Sequence, residues 1–165
     1  MTWHFDRVHA GFHYQGVIRH SIVRLKYHGD FAQARLLGQL LADRVQDVPR
    51  PALLIPIPLH RQRFRQRQFN QSLELARVLS ACLEVPVMTG AVKRIRATAQ
   101  QTHLPAKQRW RNLNNAFCCE QDLQGADVAI VDDVMTTGAT ANALAAALRA
   151  AGAGRVEVWV VARAG

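Results

Sequence analysis

The sequence predicts an α/β protein with a central, mostly parallel sheet flanked by helices on both faces. Three observations carry that prediction. Short apolar runs alternate with stretches of helical periodicity along the chain, the arrangement that gives crossover-linked parallel strands. The runs at 52–59 and 127–132 are almost wholly apolar, as strands covered on both faces should be. The 165 residues are 49% apolar, enough to bury a real core, and the length suits a single domain spanning 1–165.

The elements come in the following order along the chain. Residues 8–14, VHAGFHY, alternate enough for a short strand. In GVIRHSIVRLKYHG (16–29), Ile18, Ile22 and Leu25 share a helical face and Gly29 supplies the stop. ARLLGQLLADRV (34–45) repeats that logic with Leu36, Leu37, Leu40 and Leu41 inward. ALLIPIPL (52–59) reads as a buried strand ending near Ile57, because Pro56 and Pro58 cannot donate to a ladder. NQSLELARVLSACL (70–83) is a helix with Leu75, Val78, Leu79 and Cys82 inward and Asn70 or Ser72 as its N-cap. A strand is expected within 85–95, a short helix at 105–113 opening on Pro105, and a strand at 116–119. DVAIVDDVMTTGATANALAAALRAAG reads as strand 127–132, loop 133–138 and helix 139–151, closed by Gly152. RVEVWVVARA (155–164) is a last strand.

Charge is distributed unevenly. The formal total is +9, yet from Phe117 onward six acids face three arginines, so the part before it carries +12. The positive residues cluster at 61–67, 93–96 and 107–111, which favours a polyanionic partner: a diphosphate, a nucleic acid, or both. No apolar run reaches the roughly 18 residues of a membrane span, and the N-terminus lacks a signal-peptide pattern. A cytoplasmic protein is expected. Cys82, Cys118 and Cys119 lack the spacing of a zinc site or a disulfide framework and are expected to be buried free thiols.

The chemistry concentrates at 127–140. An apolar strand ends in two carboxylates, Asp132 and Asp133, before a loop of Thr136, Thr137, Gly138 and Thr140 that opens a helix. Loop amides, threonine hydroxyls and the positive end of the helix dipole suit one phosphate monoester, and Gly138 allows close approach. The acids would repel that phosphate. They can instead accept from sugar hydroxyls, or reach a divalent cation directly or through water. A sugar phosphate satisfies both halves. The sequence has neither G-x-x-x-x-G-K-[ST] nor G-x-G-x-x-G, which argues against an NTP hydrolase and an NAD enzyme. A phosphoryl-accepting aspartate is disfavoured, since one downstream strand leaves little room for the rest of such a switch. Arg61, Arg63, Arg65 and Arg67 recur every second residue and, if extended, would share one face that needs an anion to offset it.

VAIVDDVMTTGAT resembles the 5-phosphoribosyl 1-diphosphate (PRPP) motif of type I phosphoribosyltransferases. More narrowly, YQGVIRHSIVRLKYHGD (14–30), PIPLHRQRFRQRQFNQS (56–72) and RIRATAQQTHLPAKQRWRNLNNAF (94–117) resemble the ComF/GntX family, associated with natural competence and DNA uptake. The resemblance implies the type I phosphoribosyltransferase fold, and it implies PRPP or ribose 5-phosphate as ligand, with Mg²⁺ held mainly through PRPP and through Asp132 and Asp133. It places the 5-phosphate on Met135, Thr136, Thr137, Gly138, Ala139 and Thr140. It places pyrophosphate on Leu59, His60 and Arg61, reaching toward Arg67 and Asn70. A flexible loop over the site would use Arg94, Arg96, Thr98, Gln101, Arg109 and Asn112. Asp132 and Asp133 would be the catalytic pair, stabilising a cationic ribose as pyrophosphate leaves. Members often begin with a cysteine-rich zinc segment ahead of YQG; this chain has no such cysteines, so no zinc is expected. The alternatives are a non-catalytic module handling single-stranded DNA with competence or DNA-processing proteins, and a nucleobase salvage enzyme. For the latter no base-specificity hood is recognisable, beyond an N-terminal region rich in histidine (His4, His9, His13, His20, His28). Trp110 is expected to pack on its own helix.

Overall fold

The computed structural model describes residues 2–95 and 115–165. In chain order its elements are β1 (Arg7–His13), α1 (Gly16–His28), α2 (Phe31–Val45), β2 (Leu53–Pro56), α3 (Arg61–Arg67), α4 (Gln71–Leu83), β3 (Val92–Arg94), β4 (Phe117–Cys119), β5 (Val128–Met135), α5 (Ala139–Ala150) and β6 (Val156–Arg163). Four strands lie in the order β1-β6-β5-β2, every neighbouring pair parallel. Val87 adds a single bridge to Leu54 at the β2 edge, so the expected strand within 85–95 divides into this bridge and β3. β3 and β4 form a separate antiparallel ribbon.

Side-chain alternation along the central strands builds two cores. Val128, Ile130, Val156 and Val158 face Leu144 and Leu148 of α5. Ala129, Val131, Trp159 and Val161 face the layer of α1, α2 and α4, where Ile22, Leu25, Leu37, Leu41, Leu75 and Leu79 are buried. Both faces of the sheet are covered, which is why its strands read as continuous apolar runs.

Several boundaries differ from expectation for local reasons. β5 continues through Asp132 and Asp133 to Met135, because β6 runs beside it and pairs Asp132 with Val160 and Val134 with Ala162. The loop is therefore only 136–138. The arginine stretch is helical, not extended: His60 Nδ1 accepts the Gln62 amide (3.3 Å) at its start and Gln68 ends it at φ +61°. A repeat of two on a helix divides the arginines, with Arg63 and Arg67 on one side and Arg61 and Arg65 on the other.

In α2 the buried stripe is Ala34, Leu37, Gly38, Leu41, Ala42 and Val45, and Leu36, expected inward, is 46% exposed. The stripe centres on Gly38 because α4 approaches there; a Cβ at 38 would lie 2.6 Å from the Val78 Cβ. The thiols are also displaced from expectation. Cys82 and Cys118 are exposed and Cys119 is half-buried, since the apolar stripe of α4 ends on Leu83, and Cys118 alternates outward from buried Phe117 on its strand. The expected helix at 105–113, with Trp110, lies outside the described residues.

Candidate functional site: an acid pair facing an arginine wall

Parallel pairing brings the carboxyl ends of β2 and β5 together, and the segments leaving those two ends form the sides of a cleft. After β2 come 57–60 and α3; after β5 comes the loop 136–138 and α5. Asn70 fastens this end of the molecule. Its Nδ2 donates to the Ile57 carbonyl (3.1 Å), and its Oδ1 accepts from the Ser72 and Leu73 amides (3.0 and 3.4 Å). Asn70 is thus the N-cap of α4. Ser72, set in place by that cap, donates from Oγ to Asp132 Oδ1 (2.8 Å).

The cleft measures 440 Å³ and is lined by Tyr14, Lys26, Tyr27, Leu59, Arg63, Arg67, Ser72, Arg94, Asp132, Asp133, Thr136 and Thr140, among others. Four cations thus face two carboxylates. Asp133 is 3% exposed. Its Oδ1 accepts the Val134 amide (2.7 Å), while Oδ2 is buried, accepts no hydrogen bond among the described residues and has Lys26 Nζ 3.9 Å away. Burial pushes the Asp132 carboxyl up to about 8; the charge on Asp133 adds to the rise and the Ser72 hydrogen bond opposes it. Burial also lowers Arg63 and Arg94, each further lowered by a neighbouring arginine, Arg67 and Arg63 respectively. These arginines still carry charge at neutral pH, so the wall is an electropositive surface crowded against itself.

The loop after β5 makes a small hollow lined by Asp132, Thr136, Thr137, Gly138 and Thr140. Gly138 has φ +80° and, among the described residues, no side chain caps α5 at that position; Thr137 Oγ1 accepts the Ala139 amide (3.3 Å). Met135 and Ala139 turn their side chains into the core, so only their backbone could meet a ligand. A separate groove of 370 Å³ runs between α5 and β4, and alanines of α5 and its C-cap make up half of its lining among the described residues.

The expected residues fall into groups. Asp132, Asp133, Thr136 and Thr140 meet in the cleft, and so do Leu59 and Arg67. His60 caps α3, Arg61 points to solvent, and Asn70 caps α4. Arg94 is the last residue of β3, with its guanidinium 5.5 Å from the Phe117 ring, and it too lines the cleft. Arg96, Thr98, Gln101, Arg109 and Asn112 lie outside the described residues. The sequence reading missed Lys26, Ser72, Tyr14 and Tyr27. Lys26 had a signal: it comes one turn after Ile22, a cation in line with a buried stripe.

Residues 70–165 match the phosphoribosyl transferase domain family. Competence protein F of Haemophilus influenzae is 37% identical over 161 residues, 92% of this chain and 70% of its own length. This chain belongs to the ComF-like phosphoribosyltransferase family. A second ComF-like relative, DNA utilization protein YhgH of Salmonella typhi, is 43% identical over 134 residues, 80% of this chain and 59% of its own length. This ComF-like chain therefore spans between about three-fifths and seven-tenths of these relatives. Its fold matches part of a solved structure, the glutamine PRPP amidotransferase of B. subtilis, with TM-score 0.51 and 20% identity over 76% of this chain and 25% of that one. No helix among the described residues is long and apolar enough to cross a membrane.

Proposed function

We propose that this ComF-like protein binds PRPP in the cleft and serves DNA uptake, the process its relatives' names point to. The observation that carries the reading is the meeting of three different chemistries in one place. Backbone amides at the start of α5 suit a phosphate. An acid pair beside them suits sugar hydroxyls. Arg63 and Arg67 across the cleft suit a diphosphate. The 5-phosphate would sit on 136–140, the ribose hydroxyls on Asp132 and Asp133, and the pyrophosphate on Leu59, Arg63 and Arg67, with Lys26 and Arg94 completing the positive field.

Mg²⁺ fits this donor set. The acids offer hard oxygens, and among the described residues Asp133 Oδ2 accepts no hydrogen bond. The cation would be held mainly by the ligand's own phosphates, with Asp132 and Asp133 contributing directly or through water, and would neutralise pyrophosphate charge. The protein's own contribution to transfer is prearranged charge. Arg63 and Arg67 stabilise the negative charge that builds on departing pyrophosphate, and Asp133, joined by Asp132 once a bound cation displaces its proton, stabilises the positive charge left on the ribose. Titration calorimetry with PRPP and Mg²⁺ tests the reading. Asp133→Asn should weaken binding by about tenfold or more, and unchanged affinity would overturn it. Pyrophosphate release, screened across nucleobase acceptors, reads out turnover.

A second reading, a surface for single-stranded DNA, has its own observation. The outward side of α3 presents Arg61 and Arg65 beside Phe64, which is 50% exposed, while Tyr27 and Phe31 are 67% and 52% exposed. Exposed rings among arginines form a stacking and phosphate-binding surface. It adjoins the PRPP cleft without sharing Asp132 or Asp133.

A further inference from the structure

The loop proposed to take the 5-phosphate is supported by the segment that precedes β1. Residues 2–6 run beside α5 and are fastened to it near both of its ends. Asn142, buried on the first full turn, donates from Nδ2 to the Thr2 carbonyl (3.1 Å) and accepts the His4 amide at Oδ1 (2.7 Å). Arg149, two turns further on, donates from Nε to the His4 carbonyl (3.1 Å) and from its terminal nitrogen to Asp6 Oδ2 (2.6 Å). The same Asp6 oxygen accepts the Val156 amide (2.9 Å), tying the segment into β6 as well.

This clasp delivers one side chain to the loop. The Trp3 indole packs on Phe5, with ring centroids 4.8 Å apart, and lies against Gly138. A Cβ at 138 would lie 3.1 and 3.3 Å from two indole carbons and 2.5 Å from Met135 Cε. The space beside the one left-handed residue of the loop is thus filled from two sides. Trp3 is nevertheless 46% exposed, so it contributes little to either core. Asn142 also has both ends of its amide engaged by this segment, which is how a buried amide avoids leaving polar groups unpaired.

We propose that Trp3 is a positioning residue for the 5-phosphate loop. By filling the space beside Gly138 it fixes the direction of the amides at 136–140, so the N-terminal segment sets phosphate affinity without touching the ligand. The inference rests on the reading that this loop takes a phosphate monoester. Support of this kind is felt because displacing binding groups by a fraction of an ångström is enough to weaken a site.

The test separates the two ends of the site. Ribose 5-phosphate and inorganic pyrophosphate are titrated calorimetrically into the parent protein, Trp3→Ala, Trp3→Phe and Asn142→Ala. Trp3→Ala should weaken ribose 5-phosphate by at least roughly fivefold and leave pyrophosphate within about twofold; Trp3→Phe should recover most of the loss, and Asn142→Ala should show the same selective loss. Equal losses for both ligands, or no loss for ribose 5-phosphate, overturn the proposal. A parent protein that binds no ribose 5-phosphate overturns the reading of the loop itself, and the proposal with it. If Trp3→Ala folds poorly, fluorescence decides. In a Trp110→Phe background, ribose 5-phosphate should alter the emission, and adding Trp3→Phe should abolish that response; a response that survives the loss of Trp3 overturns the proposal.

Discussion

Asp132 and Asp133 occupy adjacent positions with different surroundings. Asp133 is buried with Lys26 nearby, whereas Asp132 is half-buried, bonded to Ser72 and raised to about 8. A carboxyl raised in the folded state from its ordinary 3.8 holds a proton that the unfolded chain has released. Between about pH 4 and pH 8 the native state thus binds more protons, and stability of the ligand-free protein falls as pH rises through that window. Asp132→Asn removes the titrating group. By scanning calorimetry its Tm should exceed the parent's by at least about 4 °C at pH 8, with the difference vanishing near pH 4; an offset independent of pH would contradict this. The pair was legible in the sequence because charge at the end of an apolar strand is conspicuous. Lys26 was legible only as a cation in line with the buried stripe of α1; that it meets Asp133 depends on a contact between segments far apart in the chain. Asn70 was legible in two senses, as a cap and as a ligand group, and the geometry engages it as a cap.

Elements were legible wherever periodicity was long. α1, α4 and α5 appear within a residue or two of where apolar spacing put them, as does β6. α3 was not legible. Its RQRFRQR has no apolar stripe, and a repeat of two is as compatible with an extended run as with a helix cut in half by face. The length of β5 was also hidden, since hydrogen bonding to β6 carries the ladder through two charged residues that local preference would have placed in a loop. In α2, Leu36 looked like a core residue, and the small residue two places later shows why it is not. Gly38 lets α4 approach until a Cβ would meet Val78 at 2.6 Å. Gly38→Val should therefore drive the two helices apart, costing about 2–3 kcal/mol and lowering Tm by roughly 5 °C or more in thermal melts. A melt unchanged within a degree or so would show that the helices separate freely.

At the scale of the whole molecule, alternation of strand and helix was sufficient for the class of fold, but the strand order β1-β6-β5-β2 was not deducible, because neighbours in a parallel sheet are chosen by long-range packing. The uneven charge was readable too, and the structure divides it. Arg63, Arg67 and Arg94 turn into the cleft, while Arg61 and Arg65 face outward. The two groups should act separately. If the outward side of α3 holds single-stranded DNA, binding of an oligonucleotide should weaken steeply with salt, and replacing Arg61 and Arg65 together by alanine should reduce the slope of log K against log salt by about 1.4, leaving ribose 5-phosphate affinity unchanged. Absence of oligonucleotide binding at low salt would remove the DNA reading and leave the PRPP reading intact. The sheet order has one more consequence. Among the described residues the only ladder partner of β1 is β6. During synthesis on the ribosome, β1 must wait until Val156–Arg163 has cleared the exit tunnel before its amides find that mate, so the nascent chain carries an unmatched strand while everything between His13 and Val156 is being made.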